Sequence, residues 1–75
     1  MERYRNLGGD SSVAQYETGP DFMRVQFRDG SIYLYTNASA GAPNIEHMKQ
    51  LAAGGQGLNS FIMRAVRKAY ARRER

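Results

Sequence analysis

The chain has 75 residues, with 11 lysines and arginines against 7 aspartates and glutamates, and a formal net charge of +4. This length accommodates one small hydrophobic core, so we expect a single domain. The chain contains no cysteine, which excludes disulfides, cysteine-based zinc sites and thiol chemistry. Its mean hydropathy of −0.65, without a long apolar run, predicts no membrane span, and a cytoplasmic protein is the default expectation.

The positive charge is concentrated at the C-terminal end. Residues 1–63 carry five basic and six acidic groups, a net charge of −1. The last twelve residues carry six basic groups and one glutamate, a net charge of +5. Such asymmetry is typical of proteins that bind polyanions, and it is also the pattern of a solvated helix face that keeps a small domain soluble.

The N-terminal part of the chain gives the weakest structural signal. Residues 1–10 have no hydrophobic periodicity and contain Gly8-Gly9, which predicts a flexible lead-in. The domain is then expected over residues 11–71, with 72–75 as a fraying basic C-terminus. Residues 12–16 are a short strand candidate, closed by a turn that contains Gly19-Pro20.

A β-hairpin follows over residues 22–36. Met23, Val25 and Phe27 alternate with polar residues, which is the pattern of a half-buried strand. Asp29-Gly30 supplies the turn, and residues 31–36 form the return strand because β-branched and aromatic side chains dominate there.

Two registers of this hairpin are open. A two-residue turn would pair Phe27 with Ile32 and send Tyr33 and Tyr35 to the opposite face. A type I turn with Gly30 in a left-handed bulge position would shift the pairing by one residue and bring both tyrosines onto the Phe27 face. The alternation of apolar residues alone favours the first register.

Two helices are predicted after a small-residue connection. Pro43 suits a first helical turn and Gly54-Gly55 a helix end, while Gly57 precedes a second helix that frays near Arg73. The apolar positions of the first helix are Ile45, Met48, Leu51 and Ala52, and those of the second are Leu58, Ile62, Ala65, Val66 and Ala69. The opposite face of the second helix would carry Arg64, Arg67, Lys68, Arg72 and Arg75. The sequence therefore predicts an α+β domain, a three-stranded antiparallel meander packed on one face by two C-terminal helices.

With these elements placed, the chain resembles the KTSC domain family, named for a domain at the C-terminus of some lysyl-tRNA synthetases and also found as short stand-alone bacterial proteins. The likeness spans about residues 11–70 and is carried by Ser12-Val13, Tyr16, Met23-x-Val25-x-Phe27, Gly30, Tyr33-x-Tyr35, Gly57 and residues 61–70. The resemblance implies no established activity, although RNA binding has been proposed for the family. The Tyr-x-Tyr signature also implies that both tyrosines share the Phe27 face.

The chain departs from the family pattern at two places. The family commonly continues from Tyr-x-Tyr into a Val-Pro step, whereas residues 36–40 here read Thr-Asn-Ala-Ser-Ala. Met63 stands where relatives tend to carry asparagine, so a polar contact of the family is expected to be missing there.

Catalytic chemistry receives little support from the residues. The single histidine, His47, is placed away from the apolar face of its helix, and the serines have no evident base partner. No Glu-x-x-His or Asp-x-Asp spacing occurs, so we expect neither an enzyme nor a bound metal or cofactor. The glycines of residues 54–57 lack the Gly-Lys-Ser/Thr sequence of a phosphate-binding loop and are explained by a helix end and a tight turn.

The strongest functional feature is the basic face of the second helix. We expect it to contact phosphates of RNA or another polyanion through Arg64, Arg67, Lys68 and Arg72, helped by Arg24 and Arg28. Phe22, Tyr33 and Tyr35 could stack on bases, or they could simply pack the core. The alternative function is protein interaction or self-association through a sheet edge, or through a sheet face that bears Ile32 and Leu34.

Overall fold

A computed structural model describes residues 1–9 and 11–75 and shows an antiparallel sheet with helices packed on one face. Asp10, the last residue of the predicted lead-in, lies outside the described residues. The strands are β1 (Glu2–Arg3), β2 (Val13–Thr18), β3 (Phe22–Phe27), β4 (Ile32–Thr36) and β5 (Arg72–Arg73), adjacent in that order. The helices are α1 (Asn37–Ala40), α2 (Ala42–Gly54) and α3 (Leu58–Phe61), the last continued by a π-helical turn over Ile62–Val66.

The α+β class and the antiparallel sheet are thereby confirmed, but over residues 1–9 and 11–75 the sheet has five strands instead of three. The additional strands are the two-residue elements β1 and β5, which pair with β2 and β4 at the two edges. A two-residue strand is too short to show an alternating pattern, so periodicity could not reveal either one.

The hairpin adopts the second of the two registers, so the alternation of apolar residues favoured the wrong one. Met23 pairs with Tyr35 and Val25 with Tyr33. Tyr33 and Tyr35 therefore share the face of Phe27, which is the face that the helices cover. The expectation drawn from the Tyr-x-Tyr signature is correct on this point.

The turn of the hairpin explains this register. Gly30 has φ of +91°, a left-handed value that glycine adopts without steric cost. Its N–H donates to the Phe27 carbonyl at 2.9 Å, and the Phe27 N–H donates to the Ser31 carbonyl at 2.9 Å. The Asp29 carboxylate accepts hydrogen bonds from the Ser31 N–H at 2.9 Å and from the Ser31 hydroxyl at 2.6 Å. These side-chain hydrogen bonds also stabilise the turn.

The core lies between the sheet and the helices. A bulge in β2 between Val13 and Gln15 lets Val13 and Tyr16, three positions apart, both point into it. Met23 and Val25 contribute from β3, where both are fully buried. From the helical layer, the core residues are Ile45, Met48, Ala52, Leu58, Phe61, Ile62 and Val66.

The first residues of the chain, expected to form a flexible lead-in, contact the rest of the domain. Tyr4 is 3% exposed, and its hydroxyl accepts a hydrogen bond from the Leu58 N–H at 3.3 Å. The Leu7 N–H donates to the Gly55 carbonyl at 2.6 Å, and the Arg5 guanidinium donates to the carbonyl of Ala53. The N-terminal segment thus fastens the connection between α2 and α3.

The last helix is shorter than its periodicity predicts. Helical structure ends at Val66, and the chain then turns and runs back along β4. The Ala71 N–H donates to the Leu34 carbonyl at 2.6 Å, and the Ile32 N–H donates to the Arg75 carbonyl at 2.9 Å. The segment after Val66 could either extend the helix or pair with the open edge of β4. Pairing is favoured because an extended helix would be exposed here and would bury little apolar surface.

Candidate functional site

An open groove lies between the β3–β4 hairpin and the segment that follows the last helix. Its volume is about 590 Å³, within the range of sites that bind small molecules. Aromatic rings, cationic side chains and short polar side chains share the wall. The lining residues are Ser12, Phe27, Arg28, Asp29, Ser31, Tyr33, Tyr35, Met63, Arg67, Lys68 and Tyr70.

Four aromatic rings form one connected cluster along this groove. The ring centroids of Phe27 and Tyr33 are 5.7 Å apart, those of Tyr33 and Tyr70 are 4.8 Å apart, and those of Tyr35 and Tyr70 are 6.3 Å apart. All three pairs meet edge to face, a favourable arrangement of ring quadrupoles. Tyr70 is 38% exposed and Tyr33 is half-buried, so both are accessible to a ligand.

Tyr35 lies deepest of the four, with 2% of its surface exposed. Burial raises the pKa of its hydroxyl to about 12, and the neighbouring Tyr33 and Tyr70 contribute to the same shift. The Tyr35 hydroxyl is therefore harder to ionise than that of an ordinary tyrosine.

Cationic side chains stand at the rim of the groove. Arg28, Arg67 and Lys68 are all exposed, and the Arg73 guanidinium lies over the Tyr33 ring at 5.6 Å from its centroid. Among residues 1–9 and 11–75, none of these four cations takes part in an ion pair. Arg28, Arg67 and Lys68 are thus available to an anionic ligand, whereas Arg73 Nε donates a hydrogen bond to the Arg75 carbonyl at 3.0 Å.

One carboxylate, that of Asp29, also lines the groove. The hydroxyl and the backbone N–H of Ser31 lower its pKa from the ordinary aspartate value, and Arg73 adds to the effect. A carboxylate held in its ionised form in this way is a weak general base.

The structure separates the six predicted phosphate-binding cations into three groups. Arg28, Arg67 and Lys68 line the groove with the motif residues Tyr33 and Tyr35. Arg64 is exposed in the π-helical turn and does not line it.

Arg24 and Arg72 form the third group and lie on the opposite face of the sheet. Arg24 Nε is 2.7 Å from Glu74 Oε1, and Arg72 Nη2 is 3.1 Å from Glu74 Oε2. Because Arg24 and Arg72 flank Leu34 in the register, the Glu74 carboxylate bridges β3 and β5 across β4. The prediction that one helix face carries Arg64, Arg67, Lys68 and Arg72 together is therefore wrong: Arg72 belongs to a strand and is paired with an acid.

The predicted aromatic platform also needs correction. Phe22 lies on the face opposite Tyr33 and Tyr35, where the Arg24 guanidinium is 4.9 Å from its ring centroid. Tyr70 takes the place that Phe22 was expected to fill, and Met63 lines the groove beside it. Tyr70 directly follows Ala69, the last apolar position of the predicted helix, but its contact with the hairpin depends on the early end of the helix.

His47 lies outside the groove. It is exposed on α2, and its ring packs against Phe61 with centroids 4.5 Å apart. Within the described part of the chain, no group of three or more histidine, cysteine, aspartate or glutamate side chains is placed to hold a metal ion. Over the same residues, no helix is both long and apolar enough to cross a membrane.

Comparison with known proteins adds no relative to this picture, since no family model, curated protein or solved structure matches the chain.

Proposed function

We propose that this protein is a non-enzymatic module that binds single-stranded nucleic acid, with RNA as the natural candidate, in the groove between the hairpin and the C-terminal segment. The supporting observation is the juxtaposition of accessible aromatic rings with cations that are not engaged in ion pairs among the described residues. Single-stranded nucleic acids are held by such a combination, because bases stack on aromatic faces while cations contact the phosphates. Membership in the KTSC family is part of the same proposal and rests on the Tyr33-x-Tyr35 signature.

The exposure of the side chains indicates which of them contact bases and which contact phosphates. Tyr70 and the part of Tyr33 that Arg73 leaves uncovered supply the accessible ring surface for an unstacked base. Arg28, Arg67 and Lys68 at the rim contact phosphates. A catalytic role is not proposed because the hydroxyls of the groove are accompanied by an ionised, hydrogen-bonded Asp29 and not by a histidine base.

The binding test is a fluorescence anisotropy titration of labelled single-stranded RNA and DNA over a range of salt concentrations. For Tyr70→Leu we expect a 5- to 150-fold loss of affinity, since stacking of one base on an aromatic ring contributes about 1–3 kcal/mol. For Arg67→Ala the slope of log K against log salt should become less negative by about 0.7, the contribution of one phosphate contact on a single strand.

Two variants serve as matched controls. Phe22→Leu removes an aromatic ring from the opposite face of the sheet, and Arg64→Ala removes one positive charge from outside the groove. Both should bind within about twofold of the unmodified protein. Absence of binding at low salt, or equal losses in the groove variants and their controls, would contradict the proposal.

Self-association through the sheet has less support. Leu34, expected on an exposed face, is only 7% exposed beneath the Arg24–Glu74–Arg72 bridge. The edge strands β1 and β5 are two residues long and carry charged side chains, a pattern that protects sheet edges from pairing with another chain.

A further inference from the structure

A second concavity, with a volume of about 320 Å³, opens beside the start of β2. Three arginines line it, namely Arg3, Arg5 and Arg28, and the remaining lining residues are uncharged. Arg28 also lines the aromatic groove, so the two concavities adjoin each other at that residue.

The strand order explains why arginines so distant in sequence meet here. Arg3 pairs with Gln15 on one side of β2, and the Tyr4 N–H donates to the Ala14 carbonyl at 3.0 Å. On the other side of β2, the Arg28 N–H donates to the Ser12 carbonyl at 2.8 Å. The cations of β1 and of the hairpin therefore flank the beginning of the same strand.

The charged residues that line the two concavities are mainly basic. Together they are lined by Arg3, Arg5, Arg28, Arg67 and Lys68, which are five of the 11 basic residues, and by Asp29, one of the 7 acidic residues. These lining residues carry a formal charge of +4, and Arg73 over the Tyr33 ring adds one further positive charge beside the groove.

From this arrangement we infer that the nucleic-acid site extends beyond the aromatic groove, across Arg28, to a phosphate-binding subsite formed by Arg3 and Arg5. This inference rests on the proposed function. The groove holds the stacked base or bases, and the second concavity, lined by arginines without an aromatic neighbour other than the buried Tyr4, holds the backbone of the nucleotides that follow. Recognition there is electrostatic and independent of base identity.

Oligonucleotides of two lengths distinguish binding in the groove alone from binding that also reaches the subsite at Arg3 and Arg5. The longest extent of the molecule is 30 Å. Even at the rise of a stacked strand, about 3.4 Å per nucleotide, a 9-mer extends about 30 Å and spans the molecule, whereas the two internucleotide phosphates of a 3-mer are taken up by the cations of the groove. The experiment measures binding of labelled 3-mer and 9-mer oligouridylates to the full chain as a function of salt.

Arg3→Ala is the informative variant because Arg3 is exposed, whereas the Arg5 guanidinium is bonded to the Ala53 carbonyl. On the 9-mer we expect its salt slope to become less negative by about 0.7, and on the 3-mer we expect no change. Arg3→Lys keeps the charge and should retain the slope of the unmodified protein. Arg64→Ala, which removes the same charge outside both concavities, should change neither slope.

The outcomes distinguish this inference from the proposed function. Arg3→Ala could behave like Arg64→Ala on the 9-mer while Arg67→Ala and Tyr70→Leu still lose affinity. In that case the phosphate-binding subsite at Arg3 and Arg5 is wrong, and the groove is the whole site. If the unmodified protein binds neither oligonucleotide at low salt, both proposals are wrong.

Discussion

At the residue scale, Tyr35 lies where the hydrophobic core meets the groove. Its ring packs with the buried cluster, and its side chain also forms part of the groove wall. Burial penalises the phenolate form, which raises the pKa of this hydroxyl to about 12 against 10.0 for an ordinary tyrosine. A residue of this kind couples the stability of the fold to pH in the alkaline range.

The sign of that coupling is fixed by the direction of the shift. Between pH 10 and pH 12 the unfolded chain releases the Tyr35 proton while the folded protein retains it, so the free energy of unfolding falls as the pH rises. The loss amounts to roughly 3 kcal/mol over the interval, from about 1.4 kcal/mol per pKa unit. Urea denaturation at pH 9 and pH 12 measures it.

Tyr35→Phe is the control for this prediction, because it keeps the ring and removes the titrating group. Burial also raises the pKa of Tyr16, so the variant retains part of the alkaline loss, and the difference between the two proteins isolates Tyr35. Parallel stability profiles for the two proteins would show that the Tyr35 hydroxyl is not buried as described.

At the scale of the elements, a single carboxylate adds a side-chain link between β5 and β3. Glu74 bridges Arg24 of β3 and Arg72 of β5, and these two contacts lower its pKa from the ordinary glutamate value. The backbone pairing of β5 with β4 covers only two residues, Arg72 with Leu34 and Arg73 with Tyr33. The bridge therefore adds to the backbone hydrogen bonds that keep Arg73 beside the Tyr33 ring.

We expect Glu74→Gln to weaken the docking of β5 while leaving the rest of the sheet intact. Amide hydrogen exchange should become faster at Ala71 and Glu74, whose N–H groups bond to the carbonyls of β4, and stay unchanged at Val25.

The same bridge makes the docking of β5 dependent on pH. Because the pKa of Glu74 is lowered, the stabilisation of β5 is present above the ordinary glutamate pKa and is lost as the pH falls through the lowered value. Exchange measured at neutral and at acidic pH checks both statements, with Glu46→Gln in the exposed Lys49 pair as the matched control. Unchanged exchange in Glu74→Gln would contradict this role of the bridge.

The elements that the sequence could predict are those with a repeating pattern of their own. The hairpin strands alternate, and Ile45, Met48 and Ala52 follow helical spacing, so β3, β4 and α2 lie close to their expected positions. The C-terminal segment was predicted wrongly because Ala69 to Arg75 contain no helix-breaking residue. What ends the helix there is the unpaired edge of β4, a tertiary feature that local propensity does not encode.

The groove illustrates the same limit. Tyr33, Tyr35, Arg28, Arg67 and Lys68 were singled out from the sequence, but nothing in their spacing showed that they line one surface. That arrangement depends on the bulged register of the hairpin at Gly30, which places the tyrosines on the helical side, and on the reversal after Val66, which brings Tyr70 to them.

At the scale of the whole molecule, the fold redistributes the charge that the sequence places at one end. Arg64, Arg72 and Arg75 of the C-terminal segment stay outside the groove, while Arg3 and Arg5 near the opposite end of the chain line the second concavity. The helix-covered side of the sheet thus combines the accessible rings with Arg28, Arg67 and Lys68, and the other face carries the ion pairs of Arg24 with Glu17 and Glu74. This polarity is the physical basis for expecting a polyanion on the first surface alone.

The most direct test of that expectation is an amide chemical-shift titration of the isotopically labelled protein with a single-stranded RNA 9-mer at low salt. We predict saturable changes at Tyr33, Arg67, Lys68 and Tyr70, with smaller changes reaching Arg3, and none at Phe22 or Glu17 on the opposite face. Shifts centred on Phe22, Arg24 and Arg72, or a spectrum that RNA leaves unchanged, would contradict the account.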